Sequence, residues 1–403
     1  VKHMKTTKHK LVIAERESCI CYGYFEDGIP IELYCEPKEQ QSILGNIYAA
    51  RVERVAEGIH GAFLEIGEKQ KCYYSLSKEQ PVKLSPGHKD KLYGGDIILV
   101  QITKDAVKTK LPVCTGNISL NGKYFVLTLT DKRTGISKKI RENRERERLA
   151  ALIQKHTCEE YGIVIRTNAS GVSEDILIQE LELLKWQYQE LMRKAHIASG
   201  KTLLYKEPPH YITLGKELPE KALDEIVTDS NEIFTELKNY YKNANTVLSL
   251  YEDSYSLYNL YRFAHYYEEA SGKYIWLKSG ASLVIEHTEA MTVIDVNTGS
   301  VLKKKQQEDT LFYQINREAA KEIARQLRLR NISGIIMIDF INMKNEKQKE
   351  NLLSLLDSEC KKDRVYCKVI DMTALNLVEM TRSKVRKPLY EQISLCRMNM
   401  LKG

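Results

Sequence analysis

The chain has 403 residues, 43% of them hydrophobic and 29% charged, with 61 Lys+Arg against 54 Asp+Glu for a formal net charge of +7. That length suits about two to four domains, and the composition is that of a soluble globular protein. No apolar run reaches membrane-spanning length and no signal peptide is evident; Val1–Met4 reads as a cloning remnant. A charge excess this small does not establish a polyanionic partner by itself, so local clustering decides.

The cysteines are Cys19, Cys21, Cys35, Cys72, Cys114, Cys158, Cys360, Cys367 and Cys396. The count is odd and no CxxC pair occurs, so neither a disulfide framework nor a Cys-rich zinc site is expected. Reduced thiols in a cytoplasmic protein are the expectation. Cys19 and Cys21 fall on alternate residues of a strand and read as packing residues.

In chain order, residues 10–35 read as strands (KLVIAERE, CICYGYFEDG, IPIELYCEP), with Glu26–Asp27–Gly28 as a hairpin turn and Pro37 closing the unit. Residues 45–130 read as a second all-β stretch. GNIYAARVERV, GIHGAFLEIG, KCYYSL, YGGDIILVQITKD and KYFVLTLTD give five short strands with glycine-marked corners, the pattern of a small closed barrel of the OB type. Phe63, Tyr73 and Tyr74 lie on neighbouring strands, where aromatic rings can stack unpaired bases. By burial statistics alone, Phe63 reads as core. Lys108 and Lys110 beside the barrel add some support to the binding reading.

Residues 131–148 (DKRTGISKKIRENRERER) are dense in charge. Lys132, Arg133, Lys138, Lys139 and Arg141 precede an alternating-sign helix start, whose later part reads as a solvated face. TGISKK is the better phosphate contact, because Gly135 exposes backbone amides beside lysines. YGIVIRTNASG reads as a strand running into a turn, where Arg166 offers a guanidinium fork and Thr167 a hydroxyl. Ser173 starts a long amphipathic helix to about Ser199, with Glu174 and Asp175 in its first turn. A polar connector surrounds Pro208–Pro209. The tyrosine-rich run NTVLSLYEDSYSLYNLYRFAHYYEEASG reads as amphipathic packing without a site.

The stretch 282–343 carries most of the chemistry. Two β-rich runs, Met291–Val296 and Ile335–Ile341, each hold one acid in mid-run, Asp295 and Asp339. Strand alternation puts Asn297 on the side of Asp295, and Ile335, Met337 and Ile341 on the side of Asp339. An acid inside a buried apolar strand is costly unless something pairs with it. Two such acids on strands joined by one helix suggest a shared partner, and Mg²⁺ suits oxygen ligands with retained waters. The competing reading is structural, each acid being satisfied by backbone or Arg. That reading suits one isolated Asp; the pair, with Asn297 beside it, favours a site.

Between the acids, Leu311, Ile315, Ala319, Ile323 and Leu327 recur at helical spacing, with Arg317, Lys321, Arg325, Arg328 and Arg330 expected on the remaining surface. Strand–helix–strand with acids near strand ends is where α/β sheets place sites. A helix over 345–362, a strand over Arg364–Ile370 and LNLVEMTRSKVRKPL follow, ending in the basic set Arg382, Lys384, Arg386 and Lys387. A carboxylate metal site flanked by cations is suited to phosphodiester cleavage.

AFLEIG, GISKKI, IVIRTNASG, TEAMTVIDVNTGS, REAAKEIARQLRLRNISGIIMIDFINM and LVEMTRSKV occur in this order across nearly the whole chain. They resemble the catalytic half of the ribonuclease E/G family of bacterial endoribonucleases. The resemblance implies an α+β multidomain fold. An RNase H-like subdomain would comprise residues 1–40 and 205–278, an OB-fold RNA-binding domain 41–119, a 5′-sensor region 120–204, and a DNase I-like α/β catalytic subdomain 279–403. It implies that Asp295 and Asp339 hold one catalytic Mg²⁺, with Asn297 orienting the first. Phe63, Tyr73 and Lys110 would hold the RNA strand. Gly122, Val126, Lys138, Arg166 and Thr167 would form a pocket for a 5′-monophosphate. The implied activity is Mg²⁺-dependent cleavage of single-stranded RNA, with 5′-phosphate and 3′-hydroxyl products, in cytoplasmic RNA processing and decay.

Lys138 stands where the family usually has Arg, Tyr73 where it has Phe, and Asn342 where Asp is common. The zinc-sharing CPxCxGxG motif does not follow the catalytic region, so a homodimer is not expected to use a zinc link, and structural zinc is not expected. The rival readings are a non-catalytic RNA-binding protein that keeps the fold, separable by a Mg²⁺-dependent cleavage assay, and a DNA nuclease, since an acid pair alone does not choose the sugar.

Overall fold

The computed structural model describes residues 8–38, 42–67, 70–76, 81–85, 91–106, 110–218, 223–241, 246–299 and 308–400. The chain divides into two compact units, one formed by Val1–Gln41 with Lys221–Gly403, the other by Ser42–Glu220.

The first unit begins with an antiparallel ribbon of β1 (His9–Glu15), β2 (Cys19–Glu26) and β3 (Ile29–Pro37). Asp27 and Gly28 both take positive φ, 47° and 80°. That is the backbone of a two-residue hairpin turn, and glycine adopts it without strain. The expected hairpin is therefore present.

The second unit opens with five strands closed into a barrel: β4 (Ile47–Ala56), β5 (Gly61–Glu65), β6 (Lys71–Ser75), β7 (Ile97–Lys104) and β8 (Val113–Thr115). They run in the order β4-β5-β6-β8-β7, and β7 returns to pair with β4. Ala50, Val52, Leu64, Tyr74, Ile98 and Val100 fill the interior, as period-two patterning requires of a small barrel. The closed OB-like barrel is as expected, but one stave is not. KYFVLTLTD does not close it; the three-residue β8 does, and it is too short to announce itself in sequence. A separate four-stranded sheet holds β9 (Ser119–Asn121), β10 (Phe125–Thr128), β11 (Gly135–Ile136) and β12 (Gly162–Ile165). Phe125 and Leu127 of β10 are buried there, against Leu149 and Leu152 of α1 (Asn143–Gln154) and Leu177, Leu181 and Leu184 of α2 (Glu174–Ile197). β13 (Thr202–Tyr205) lies along β4, and α3 (His210–Glu217) follows.

In the first unit, β14 (Glu225–Thr228) and β15 (Val247–Leu250) extend the ribbon in parallel, in the order β15-β14-β1-β2-β3. Helices α4 (Asn231–Tyr240), α5 (Leu257–Leu260) and α6 (Phe263–Ser271) accompany this sheet. Tyr258, Tyr261, Tyr266 and Tyr267 pack with Phe25 and Phe263, so the tyrosine-rich run is packing, as expected.

A second sheet in this unit has six strands in the order β16-β17-β18-β19-β21-β20. These are β16 (Tyr274–Trp276), β17 (Ser282–His287), β18 (Met291–Asn297), β19 (Gly334–Asp339), β20 (Cys367–Met372) and β21 (Leu377–Arg382). Helix α7 (Glu308–Leu329) lies between the parallel strands β18 and β19 in sequence, and α8 (Glu346–Cys360) between β19 and β20. Ile315, Ala319, Ile323 and Leu327 of α7, with Leu352 and Leu356 of α8, cover one face of the sheet. The other face is open: Val293 and Ile335 are 37% and 49% exposed. The last helix, α9 (Leu389–Met400), lies against β3, where Gln392 Oε1 accepts from the Cys35 N–H at 3.0 Å.

Arg330, expected on the surface, and Arg382, expected in the basic end beside the acids, are both buried. Arg330 donates to Gln326 Oε1 and to the Gly272 carbonyl, both at 2.5 Å. Arg382 donates to Asp363 and Asn331, each at 2.8 Å. A guanidinium fork can saturate several acceptors at once, and only that allows its burial. Arg325 is occupied by Glu322 at 2.7 Å. Arg317, Lys321 and Lys384 remain exposed. No helix of the described residues is long and apolar enough to cross a membrane.

Candidate metal centre and phosphate pocket

Asp295 and Asp339 are register partners on the parallel strands β18 and β19. Both carboxylates therefore leave the sheet on the same side. Neighbouring strands lie about 4.8 Å apart, and carboxylate oxygens sit about 2.1 Å from Mg²⁺, so the strand spacing suits one shared ion. Asn297 stands on the same face and donates from Nδ2 to Asp295 Oδ2 at 2.8 Å. Burial, and then the charge of Asp295, push the Asp339 carboxyl above the usual carboxylate range. Two like charges face each other with no ion-paired Lys or Arg among the described residues, and a bound cation would relieve that repulsion.

The expectation that these acids sit inside buried strands needs correction. Only Thr292, Ile294 and Val296 on β18, and Ile336 and Ile338 on β19, face the core. The acids share the open face with Met291, Val293 and Ile335. Apolar residues on an open face make the strand look buried on both sides when read from sequence.

Sequence reasoning passed over several residues near this pair. Tyr274 and Trp276 are 66% and 73% exposed. They pair with Val284 and Ser282, which in turn pair with Asp295 and Asn297, so both aromatics stand on the acid face. Asn316 of α7 is fully buried; it donates to the Ile341 carbonyl at 2.7 Å and accepts from the Ile341 N–H at 3.1 Å. This clamp grips the backbone just beyond Asp339. Its sequence signal was an Asn on the apolar stripe of α7, beside Ile315. Gly299 has φ +58°, and a Cβ there would lie 2.4 Å from the Gly280 carbonyl oxygen, so the turn leaving Asn297 requires glycine.

On the barrel, Phe63 and Tyr73 are register partners with rings edge to face, centroids 6.1 Å apart. The Arg54 guanidinium lies 4.5 Å from the Phe63 centroid. Phe63 is half-buried and not part of the barrel core, whereas Tyr74 is buried inside it and offers no ring to a ligand. Lys110 is exposed, close in sequence to Pro112, whose carbonyl accepts from the Tyr73 N–H at 2.8 Å. Lys108 lies outside the described residues.

In the four-stranded sheet, β11 runs parallel to β12, which brings the GISKK turn beside the RTN turn. Arg166 Nη1 donates to the Gly122 carbonyl at 2.7 Å, and the hydroxyls of Ser137 and Thr167 are 2.9 Å apart. Gly122, Arg166 and Thr167 thus come together with Ser137, a residue not singled out from the sequence. Lys138 is exposed beside Ser137, and Val126 pairs with Val164, on the strand that leads into Arg166. Glu180 of α2 accepts from the N–H groups of Lys123, Tyr124 and Phe125 at 2.9, 2.7 and 3.1 Å. That carboxylate fixes the turn at Gly122, where a Cβ would lie 2.3 Å from Glu180 Oε1.

Residues 119–385 match the Ribonuclease E/G family. Ribonuclease G of Escherichia coli (strain K12) is 33% identical over 380 residues, 91% of this chain and 78% of that protein. Ribonuclease G of Haemophilus influenzae is 33% identical over 379 residues, 90% of this chain and 77% of that protein. Ribonuclease E of Nostoc sp. is 31% identical over 393 residues, 95% of this chain and 56% of that protein.

Proposed function

The chain belongs to the ribonuclease E/G family and is an endoribonuclease, and on that premise we propose that it hydrolyses single-stranded RNA with Asp295 and Asp339 holding one Mg²⁺. The observation that carries this reading is the register pairing of the two acids on an open sheet face, with Asn297 bonded to Asp295. When bound, the ion supplies Lewis-acid polarisation of the scissile phosphodiester and acidifies water. Asn297 holds one oxygen of Asp295, which fixes the carboxylate's orientation. Asn316 and Gly299 keep the strand ends beyond each acid in place. The products are a 5′-phosphate and a 3′-hydroxyl, and the role is in RNA processing and decay.

Phe63 and Tyr73 stack unpaired bases, a contact worth about 1–3 kcal/mol per base, and Lys110 meets the backbone. A duplex keeps its bases stacked internally, which accounts for selection of unpaired RNA. Arg166, Thr167 and Lys138 receive a 5′-monophosphate, with the Gly122 turn as floor and Val126 as apolar wall. Lys138 contributes a point charge where Arg would supply a bidentate fork.

The test uses one short unpaired RNA carrying either a 5′-monophosphate or a 5′-hydroxyl, with EDTA as control. Mg²⁺-dependent cleavage, faster on the monophosphate, is expected. Cleavage that survives both Asp295→Asn and Asp339→Asn sinks the assigned centre. Retained RNA binding without any cleavage by the wild-type chain leaves a binding protein instead.

A further inference from the structure

The first unit gathers four buried cysteines from three elements, away from the acid pair. Cys19 and Cys21 alternate along β2, Cys35 stands opposite Cys21 on β3, and Cys396 comes from α9. None is more than 4% exposed. Neighbouring Sγ atoms are 3.8 Å apart for Cys19–Cys21, 3.9 Å for Cys21–Cys35 and 3.1 Å for Cys35–Cys396. The Sγ atoms of Cys19, Cys35 and Cys396 all lie within 4.8 Å of one another.

Buried cysteines commonly serve as small apolar residues. Packing alone, however, does not require three sulfurs to converge on one point. Tetrahedral zinc with Zn–S of about 2.3 Å sets sulfurs about 3.8 Å apart. Two of the three measured neighbour distances already have that value, and the third needs a small opening.

We propose that Cys19, Cys35 and Cys396, with Cys21 as fourth ligand, form an intrachain thiolate site for zinc that fastens α9 to β2 and β3. Zinc is the occupant that the geometry favours, because three convergent sulfurs, with a fourth within 3.9 Å of two of them, suit a thiolate-binding ion. Such a site runs against the expectation drawn from cysteine spacing, and the metal measurement below decides between them. Local CxxC rules miss it because Cys35 and Cys396 are 361 residues apart in sequence. The barrel offers an internal control: Cys72 and Cys114 place two buried sulfurs 3.3 Å apart, and those two belong to no convergent set among the described residues.

The chain is purified without chelator under reducing conditions, and its metal is measured by mass spectrometry. A single zinc per chain is expected. Cobalt in its place should give the near-ultraviolet thiolate charge-transfer absorption and the visible bands of a tetrahedral site. Cys19→Ser and Cys396→Ser should lose most of the zinc, while Cys72→Ser and Asp295→Asn keep it. Should the serine variants misfold, the wild-type chain still decides. Chelation should lower its melting temperature, and zinc but not Mg²⁺ should restore it. A chain that carries no zinc, shows no thiolate–cobalt absorption and yields all four thiols freely to a titrant overturns the proposal. So does zinc that vanishes with Asp295→Asn, or a Cys35–Cys396 disulfide in the anaerobically purified chain.

Discussion

The acid face of β18 and β19 and the phosphate pocket beside β12 are built in opposite ways. The acid face rests on paired strands, where a hydrogen-bonded ladder fixes two carboxylates that repel each other. The pocket rests on turns, and its groups already have protein partners: Arg166 holds the Gly122 carbonyl, and Ser137 meets Thr167. The first arrangement leaves two like charges facing each other, whereas the second already has its polar groups paired. In the proposed reading, chemistry depends on the acid face and the pocket modulates which RNA is cut fastest.

The sharpest way to break that contrast is to remove one acid. Asp295→Asn or Asp339→Asn should lower single-turnover cleavage by at least the roughly 10²–10³-fold that loss of one electrostatic stabiliser costs, with RNA affinity little changed. Comparable activity in either variant would mean the acids are structural. The pocket should respond differently. Arg166→Ala removes charged hydrogen bonds worth about 1.5–3 kcal/mol, so the advantage of 5′-monophosphate RNA should collapse by roughly tenfold or more. The rate on 5′-hydroxyl RNA should stay close to wild type; an equal loss on both substrates would merge the two regions into one site.

A smaller effect should separate rigidity from charge on the acid face. Asn316→Ala removes two buried hydrogen bonds to Ile341, at a cost of about 1–3 kcal/mol in stability. It should lower kcat while leaving the 5′-end preference intact. A stability loss with unchanged kcat would limit Asn316 to a structural role.

The smallest expected effect is acid sensitivity confined to the unit that bears the acids. His287 accepts or donates at Thr292 Oγ1 at 3.0 Å and stacks on Tyr390. Burial, and then the charge of Arg330, push its pKa below the usual value. The unfolded chain then binds the proton more readily than the folded one. Its contribution to stability is present above the unfolded pKa of about 6.5 and is lost as pH falls below it, through the folded value. Denaturant unfolding just above and well below that pH should show a loss that His287→Gln reduces; an identical loss in the variant would assign it to other groups.

Much of the fold was legible in the sequence because it is written in short-range terms. The Asp27–Gly28 turn, the apolar stripe of α7 and the two acid-bearing strands each depend on residues within a few positions of one another. Alternation along β18 and β19 also determined which residues share a face. It did not determine which face is covered, because a period of two is the same whether helices pack on one side or on both. Only the tertiary structure decided that the acids look outward among Val293 and Ile335, that Arg330 and Arg382 are buried struts, and that Val113–Thr115 closes the barrel. The same holds for Asn316 on Ile341 and for Cys35 beside Cys396. Each of these depends on a partner brought near by folding, and no local propensity or spacing rule reaches across that distance.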